Sequence, residues 1–379
     1  MRWSATALLV FALVGCSGGG EVPLPAPQTP AAFPPPATRT LAPDKAKALQ
    51  EALDQIVEFP DSPSGSRGAT AAVVTDHWTW SGAVGTDSRG TPLRPDTSMA
   101  VASITKTFIA AEVMLLAGKG ELNLELPIAR YVPHRLTAND ATVRQHLSMT
   151  AALPDYQPAD FARMDRAAAA APGKHWTLAQ SLDFADGHLG EPGRAYSYSN
   201  PSYVLLGMLI EKLTGQPLAT ALRRDLATPA GLQHAAFQDG EKPQPPAAVD
   251  NDQACGAPDG YLPCRAFASL AAAPGGLAAD APTVARWGYQ LYGGRVIPAD
   301  LVNQMTDGDG QYGLGTMLFT QQFGLGQAFG HRGDMPDHTS LLIVIPAKRL
   351  SIALLLANGG RSIDRRMTDL TNAVAPLLS

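Results

Sequence analysis

A serine and a lysine three residues apart, Ser103-Ile104-Thr105-Lys106, open a strongly amphipathic helix pattern, and this pair constrains the rest of the chain. Residues at that spacing share one face of a helix. Phe108-Ile109-Ala110-Ala111-Glu112-Val113-Met114-Leu115-Leu116 continues the pattern, and Gly118 and Gly120 read as its stop. A hydroxyl at a helix start sits where the helix dipole favours developing negative charge. An ammonium one turn on can depress that hydroxyl's pKa or take its proton. A bare Ser-x-x-Lys arises about once by chance in a chain of this size, so the pair gains meaning only from partners elsewhere.

Two later segments supply such partners. Tyr198-Ser199-Asn200 follows the turn signal Glu191-Pro192-Gly193 and precedes a second helix pattern, Tyr203 to Leu213, closed by Gly215. Asn200 and Pro201 fit the N-cap and first position of that helix, which is an alternative, purely structural reading of Asn200. Gly330-His331-Arg332-Gly333 comes third, ahead of two strand-like runs, Thr339 to Ile345 and Leu350 to Leu356. An ordinary strand histidine and a bulge glycine are the plain readings there.

Taken in this order, the three segments resemble the penicillin-recognising serine hydrolases. The resemblance is narrowest to the branch of class C β-lactamases, serine D-alanyl-D-alanine carboxypeptidases and related esterases. Leu122 to Pro133, Thr142 to Leu147, Leu153-Pro154-Asp155-Tyr156, Pro274 to Asp280 and Tyr312-Gly313-Leu314-Gly315 extend the likeness over roughly residues 43 to 379. It implies a mixed α/β fold: an antiparallel sheet flanked by helices, a helical lobe, and an active site between them. The sheet lobe is expected in 43–125 and 275–379, and the helical lobe in 126–274.

The resemblance also implies an acyl-enzyme chemistry. Ser103 would attack a carbonyl. Lys106 would hold the proton network without having to be the base. Tyr198, a poor base at its free pKa of about 10, would need cations to lower that value before accepting the Ser103 proton. Asn200 would orient Lys106 and meet the substrate amide. His331 would supply polarity or charge near Tyr198. The backbone N–H groups of Ser103 and Asp334 would form the oxyanion hole, and Gly333 would let substrate lie along the strand edge. Ser148-Met149-Thr150-Ala151-Ala152 departs from the family pattern, with Ala152 in place of a glycine. The rim Arg332, Asp334, Met335, Pro336, Asp337, His338 is bulky and charged. There Arg332 would pair with a substrate carboxylate, or with Asp334 or Asp337. No cofactor is implied. His331, Asp334, Asp337 and His338 lack metal-ligand spacing, so no metal is expected.

With 34 acidic and 29 basic residues, a net charge of -5 and no basic block, nucleic-acid binding has no support. The start reads as an address. Ala5 to Val14 is an apolar run too short to span a membrane. Leu13-Val14-Gly15-Cys16 then resembles a bacterial lipobox, with a plain secretory leader as the alternative. On this reading residues 1–15 are a signal peptide, Cys16 carries lipid, and 16–42, rich in Gly, Pro and Ala, form a tether. The protein would be extracytoplasmic and envelope-anchored, with a small-molecule or peptide substrate as partner. Cys255 and Cys264 are expected to form a disulfide, with two free thiols as the alternative. Three functions stay open: a D-alanyl carboxypeptidase or β-lactamase-like amidase, a carboxylesterase of the same fold, and a catalytically weak wall-binding protein.

Overall fold

Thr339–Ile345 and Leu350–Leu356 are apolar almost throughout, and every position in both is buried. Strands covered on two faces require such runs. The computed structural model describes residues 32–57, 68–249, 255, 259–308, 310–335, 337–357 and 363–378. Its strands are β1 (Gly68–Val74), β2 (Thr79–Gly85), β3 (Met99–Ala100), β4 (Ala236–Phe237), β5 (Leu277–Ala279), β6 (Met317–Phe319), β7 (Ala328–Asp334), β8 (Thr339–Ile345) and β9 (Leu350–Leu356). Six of them form an antiparallel sheet in the order β2-β1-β9-β8-β7-β6. The other three make a small sheet, β3-β5-β4.

The helices are α1 (Pro43–Val57), α2 (Thr105–Gly118), α3 (Val143–Leu147), α4 (Pro158–Ala170), α5 (Leu178–Leu182) and α6 (Asn200–Thr214). The remainder are α7 (Leu218–Leu222), α8 (Arg265–Gly275), α9 (Ala281–Tyr292), α10 (Ala299–Thr306) and α11 (Ile363–Val374). One face of the sheet is covered by α1 and α11, closing an apolar core around Leu49, Leu53, Ile343 and Met367. The opposite face meets α9, and a larger core runs on through Phe108, Trp287 and Leu205 into the helical lobe. The expected architecture is therefore present: distant segments build one sheet, and the intervening chain builds the lobe.

Three local expectations change. The Ser103 helix is buried around nearly its whole circumference, Lys106, Thr107 and Glu112 included, because both lobes close over it. A helix buried on all sides has no solvent face, so it is not amphipathic. The cap of α6 is Ser199, whose side chain accepts the Ser202 N–H, and Asn200 is the first helical residue. That frees the Asn200 side chain for other work. Ala152 holds the left-handed conformation (φ +54°) that a glycine would take without strain, so the family turn is kept at a backbone cost.

Residues 1–31, with Cys16, lie outside the described residues. The described part of the proposed tether, 32–42, lies against the domain. Phe33 is buried beside Tyr289, Ala37 N–H donates to Thr75 O, and Leu41 N–H donates to Thr79 O. Cys255 and Cys264 are joined by a disulfide. Cys264 caps the start of α8, so the bridge braces a helix whose far end reaches the Ser103 region.

Glu112 of α2 is buried, and neither of its oxygens has a hydrogen-bond partner among the described residues. Burial, reinforced by the Asp225 carboxylate, pushes its pKa up to about 8. The folded protein thus holds a proton that the unfolded chain releases at an ordinary carboxyl pKa. The unfolded state binds fewer protons between these two values, so stability falls as pH rises from about 4.5 to 8. Buried His331 and His146, whose pKa values are both brought down to about 3, work the other way below pH 6.5. The Glu112 part is therefore read as a difference: from pH 5 to pH 8 thermal stability should fall in the parent relative to Glu112→Gln. An unchanged slope in the variant would remove Glu112 as its source.

Candidate active site

Ser103 lies in a 3₁₀ turn, Ala102–Ile104, just ahead of α2. Ala102 before it is left-handed (φ +47°), a strained conformation of the kind that functional turns retain. Gly333 of β7 explains the tightness. A Cβ there would come within 2.2 Å of Val101 O and 3.0 Å of Ala102 Cβ. The missing side chain lets the strand press onto the nucleophile turn, rather than opening space for substrate as the sequence suggested.

Lys106 is fully buried and makes three hydrogen bonds: 2.9 Å to Ser103 Oγ, 2.8 Å to Asn200 Oδ1 and 2.8 Å to Pro274 O. Pro274 belongs to the last turn of α8, where carbonyls lack intrahelical partners and the dipole end is negative. Burial lowers the Lys106 pKa to about 7, although the Asp155 charge works the other way. A neutral amine has two N–H groups and one lone pair. Asn200 Oδ1 and Pro274 O can only accept, so they take the two N–H groups. The lone pair then faces Ser103 Oγ.

Tyr198 O–H donates to Ser103 Oγ at 2.8 Å, and Lys106 Nζ lies 4.9 Å from its ring centroid. Burial drives the phenol pKa well above its ordinary value. The sequence reading had Lys106 lowering that pKa to make Tyr198 the base. Burial instead favours the uncharged form of each group, so the phenol keeps its proton and the amine is brought closer to losing one.

Asn200 cannot flip freely. Its Nδ2 donates to Asp155 Oδ1 at 3.1 Å, and its backbone N–H donates to the same oxygen at 2.8 Å. This fixes Oδ1 toward Lys106. Asp155 had no role in the sequence reading. Its one trace was membership of the Leu153-Pro154-Asp155-Tyr156 segment.

His331 is buried on the active-site side of β7. Its Nδ1 bonds the Arg332 carbonyl, which can only accept, so Nδ1 carries the proton. The bare Nε2 then accepts the Tyr312 O–H at 3.0 Å. Burial lowers the His331 pKa to about 3, keeping the ring neutral. His331 therefore acts on its surroundings through Tyr312, a second residue without an assigned role in the sequence reading.

Arg332 is the clear correction. Strand alternation turns it to the opposite face. There it binds Asp364 through two 2.6 Å hydrogen bonds and stacks 5.3 Å from the Phe319 ring. The ion pair of Arg332 is therefore with Asp364, away from the cleft. The direction of the Asp334 N–H follows from the strand register. Gly333 is registered with Ser340, and Met335 N–H bonds His338 O. Antiparallel alternation then sends the Asp334 N–H to the free edge of β7, beyond the end of its pairing with β6. Among the described residues no cluster of His, Cys, Asp or Glu could hold a metal ion. His338 accepts the Ala100 N–H instead.

Beside Ser103 is a pocket of about 120 Å³. Its apolar wall includes Tyr156, Phe161, Met164, Phe267, Leu270 and Met335; Asn200 and Asp334 also line it, and no Lys, Arg or His does among the described residues. Phe161 is one of two markedly exposed large apolar side chains among the described residues. The other, Tyr196, lies tilted against Tyr312 with ring centroids 5.7 Å apart.

This constellation of serine, buried amine, phenol and amide defines a penicillin-recognising serine hydrolase site. The profile of the Beta-lactamase family matches residues 49–375, and the chain belongs to that family. It is similar to penicillin-binding protein 4* of Bacillus subtilis (29% identity over 196 residues, 50% of this chain and 41% of the relative). It is also similar to the esterase EstB of Burkholderia gladioli (30% over 172 residues, 40% and 41%). The alignments span 41% of the length of each of these curated relatives. Among solved structures, the D-amino acid amidase of Ochrobactrum anthropi SV3 complexed with L-phenylalanine amide superposes with a TM-score of 0.73. That match has 25% identity and covers 89% of this chain and 100% of the amidase chain.

If Lys106 is the proton acceptor, acylation of Ser103 should rise with pH through about 7, as the amine loses its proton. The Asp155 carboxylate holds the Lys106 pKa up, so Asp155→Asn should move that rise to lower pH. Loss of the Asn200 clamp should also lower the plateau by about 10²-fold. Single-turnover acylation measured across pH reports both effects. A lower plateau with an unmoved midpoint would separate Asp155 from the electrostatics of Lys106.

Proposed function

We propose that this protein is an exported serine hydrolase that forms an acyl-enzyme with amides or esters carrying an apolar acyl group. Ser103 Oγ attacks the carbonyl while Lys106 Nζ takes its proton. The N–H groups of Ser103 and Asp334 receive the oxyanion, each such donor being worth about 3 to 4 kcal/mol in the transition state. Tyr198 O–H gives its proton to the leaving group, and the newly charged Lys106 beside its ring balances the phenolate. Water then attacks the acyl-enzyme by the reverse proton path.

One observation carries the substrate class: the Ser103 pocket is apolar and lined by no cation. A β-lactam, or a wall peptide ending in D-alanine, carries a carboxylate near the scissile bond. With Arg332 committed to Asp364 and His331 buried as the neutral ring, the described lining offers that carboxylate no counter-charge. An acyl group that carries no carboxylate and has an aromatic or branched side chain suits the pocket better. The amidase relative bound to L-phenylalanine amide is consistent with that fit. The assembled hydrogen-bond network around Ser103 disfavours the wall-binding alternative.

We further propose that Cys16 anchors the chain in an envelope membrane. The leader pattern supports this, as does the disulfide, a bond favoured by oxidising compartments.

The test compares kcat/KM for p-nitrophenyl esters and phenylalanine amides of both hands with the acylation rate by a fluorescent penicillin. Ester or amide turnover should exceed penicillin acylation by at least about 10²-fold, the span between binding with and without a paired charge. All of it should vanish in Ser103→Ala. Faster acylation by penicillin would overturn the substrate assignment while leaving the mechanism standing. For the anchor, Cys16→Ser should release the protein from the membrane fraction, and retention of the variant would count against lipidation.

A further inference from the structure

The sheet has two ends. Asp334, Thr339 and Leu356 mark the end that carries Ser103. The β1–β2 and β8–β9 turns mark the other end, about 20 Å away for strands of seven residues. A cleft of about 630 Å³ lies at this far end, bounded by Thr75–Trp78, Ala347–Arg349, Leu377, Leu378 and the entering segment Arg39–Ala42. Arg39, Lys45, His77, Lys348 and Arg349 line it, and all five are exposed. The acid in its lining is Asp76, which bonds Arg349 at 2.9 Å and stands 3.6 Å from His77. Asp44 adjoins in sequence, and exposed Arg295 reaches Phe33 O nearby. A chain of net charge -5 thus gathers basic groups at one end.

The N-terminal segment enters at this same end. Ala37 N–H bonds Thr75 O, and Thr79 N–H bonds Arg39 O, inside the basic rim. Thirty-one further residues precede the described chain, including the apolar run and Cys16. Where the tether meets the domain, the basic groups are held within reach of whatever surface the tether is fixed to.

We propose that this basic end docks on the anionic phosphate headgroups of the bilayer that carries the tether. Anionic leaflets attract basic groups lying within a Debye length of the surface. A lipid on Cys16 would hold the protein at the membrane, and the basic end would set its orientation. The Ser103 cleft, at the opposite end, then faces away from the lipid. The membrane is taken from the Cys16 reading, but the charge distribution stands without it.

The experiment uses the full-length chain purified from membranes of an expressing bacterium. It is mixed with phosphatidylcholine vesicles with or without phosphatidylglycerol, floated, and treated with an amine-reactive label read by peptide mass mapping. Labelling of Lys45 and Lys348 should fall about five-fold on phosphatidylglycerol vesicles and recover at high salt. Exposed Lys174 and Lys212 in the helical lobe should not change. Arg39→Glu combined with Lys348→Glu should abolish the protection of Lys45 while ester hydrolysis persists, which shows that the variant folds. Flotation on both vesicle types with equal Lys45 and Lys348 labelling overturns the proposal. Flotation only with phosphatidylglycerol supports it and overturns the Cys16 anchor. Flotation with neither overturns both.

Discussion

The buried amine of Lys106 is the interaction on which the site depends. Taking an ammonium out of water costs several kcal/mol, and here the cost appears as a pKa brought down to about 7. The amine stays in place because hydrogen-bond partners from three elements converge on it: the Ser103 turn, the start of α6 and the end of α8. Those bonds tie the nucleophile helix to the helical lobe. The same desolvation that makes the amine expensive to bury makes it a usable base at neutral pH. Structural cohesion and chemistry therefore rest on one atom, Nζ.

Around that atom the two lobes divide the work. The helical lobe contributes Tyr198, Asn200 and Asp155, with the negative carboxylate seated at the positive start of α6. The sheet contributes an edge. Gly333 lets β7 close on Val101 and Ala102, the residues that lead into Ser103. His331 is held neutral between the Arg332 carbonyl and the Tyr312 hydroxyl. Lys106 and Asp155 bring charge beside the nucleophile, and the pocket next to Ser103 is mostly apolar, with Asp334 the acid in its described lining.

Much of this was legible in the chain. The order Ser103-x-x-Lys106, Tyr198-x-Asn200, His331-x-Gly333 pointed to the family and to a site between two lobes. Continuous apolar runs gave β8 and β9, and the nine-residue spacing of Cys255 and Cys264 in a loop-rich stretch gave the bridge. What escaped was partnership at long range. Asp155 and Asn200 are 45 positions apart, and Arg332 and Asp364 are 32 apart. Nothing in local pattern says that Arg332 turns its back on the cleft; that follows from strand parity once the register is set, since a shift of one residue reverses every side chain.

The sequence by itself determined which reactive groups exist, their order, and the local structures that carry them, because those depend on residue type and short spacing. The tertiary structure decided which way burial shifts the protonation of each group. Lys106 and Tyr198 keep their ordinary pKa values in an unfolded chain. Only enclosure by both lobes drives one down and the other up, because the penalty for charge depends on the water that packing removes.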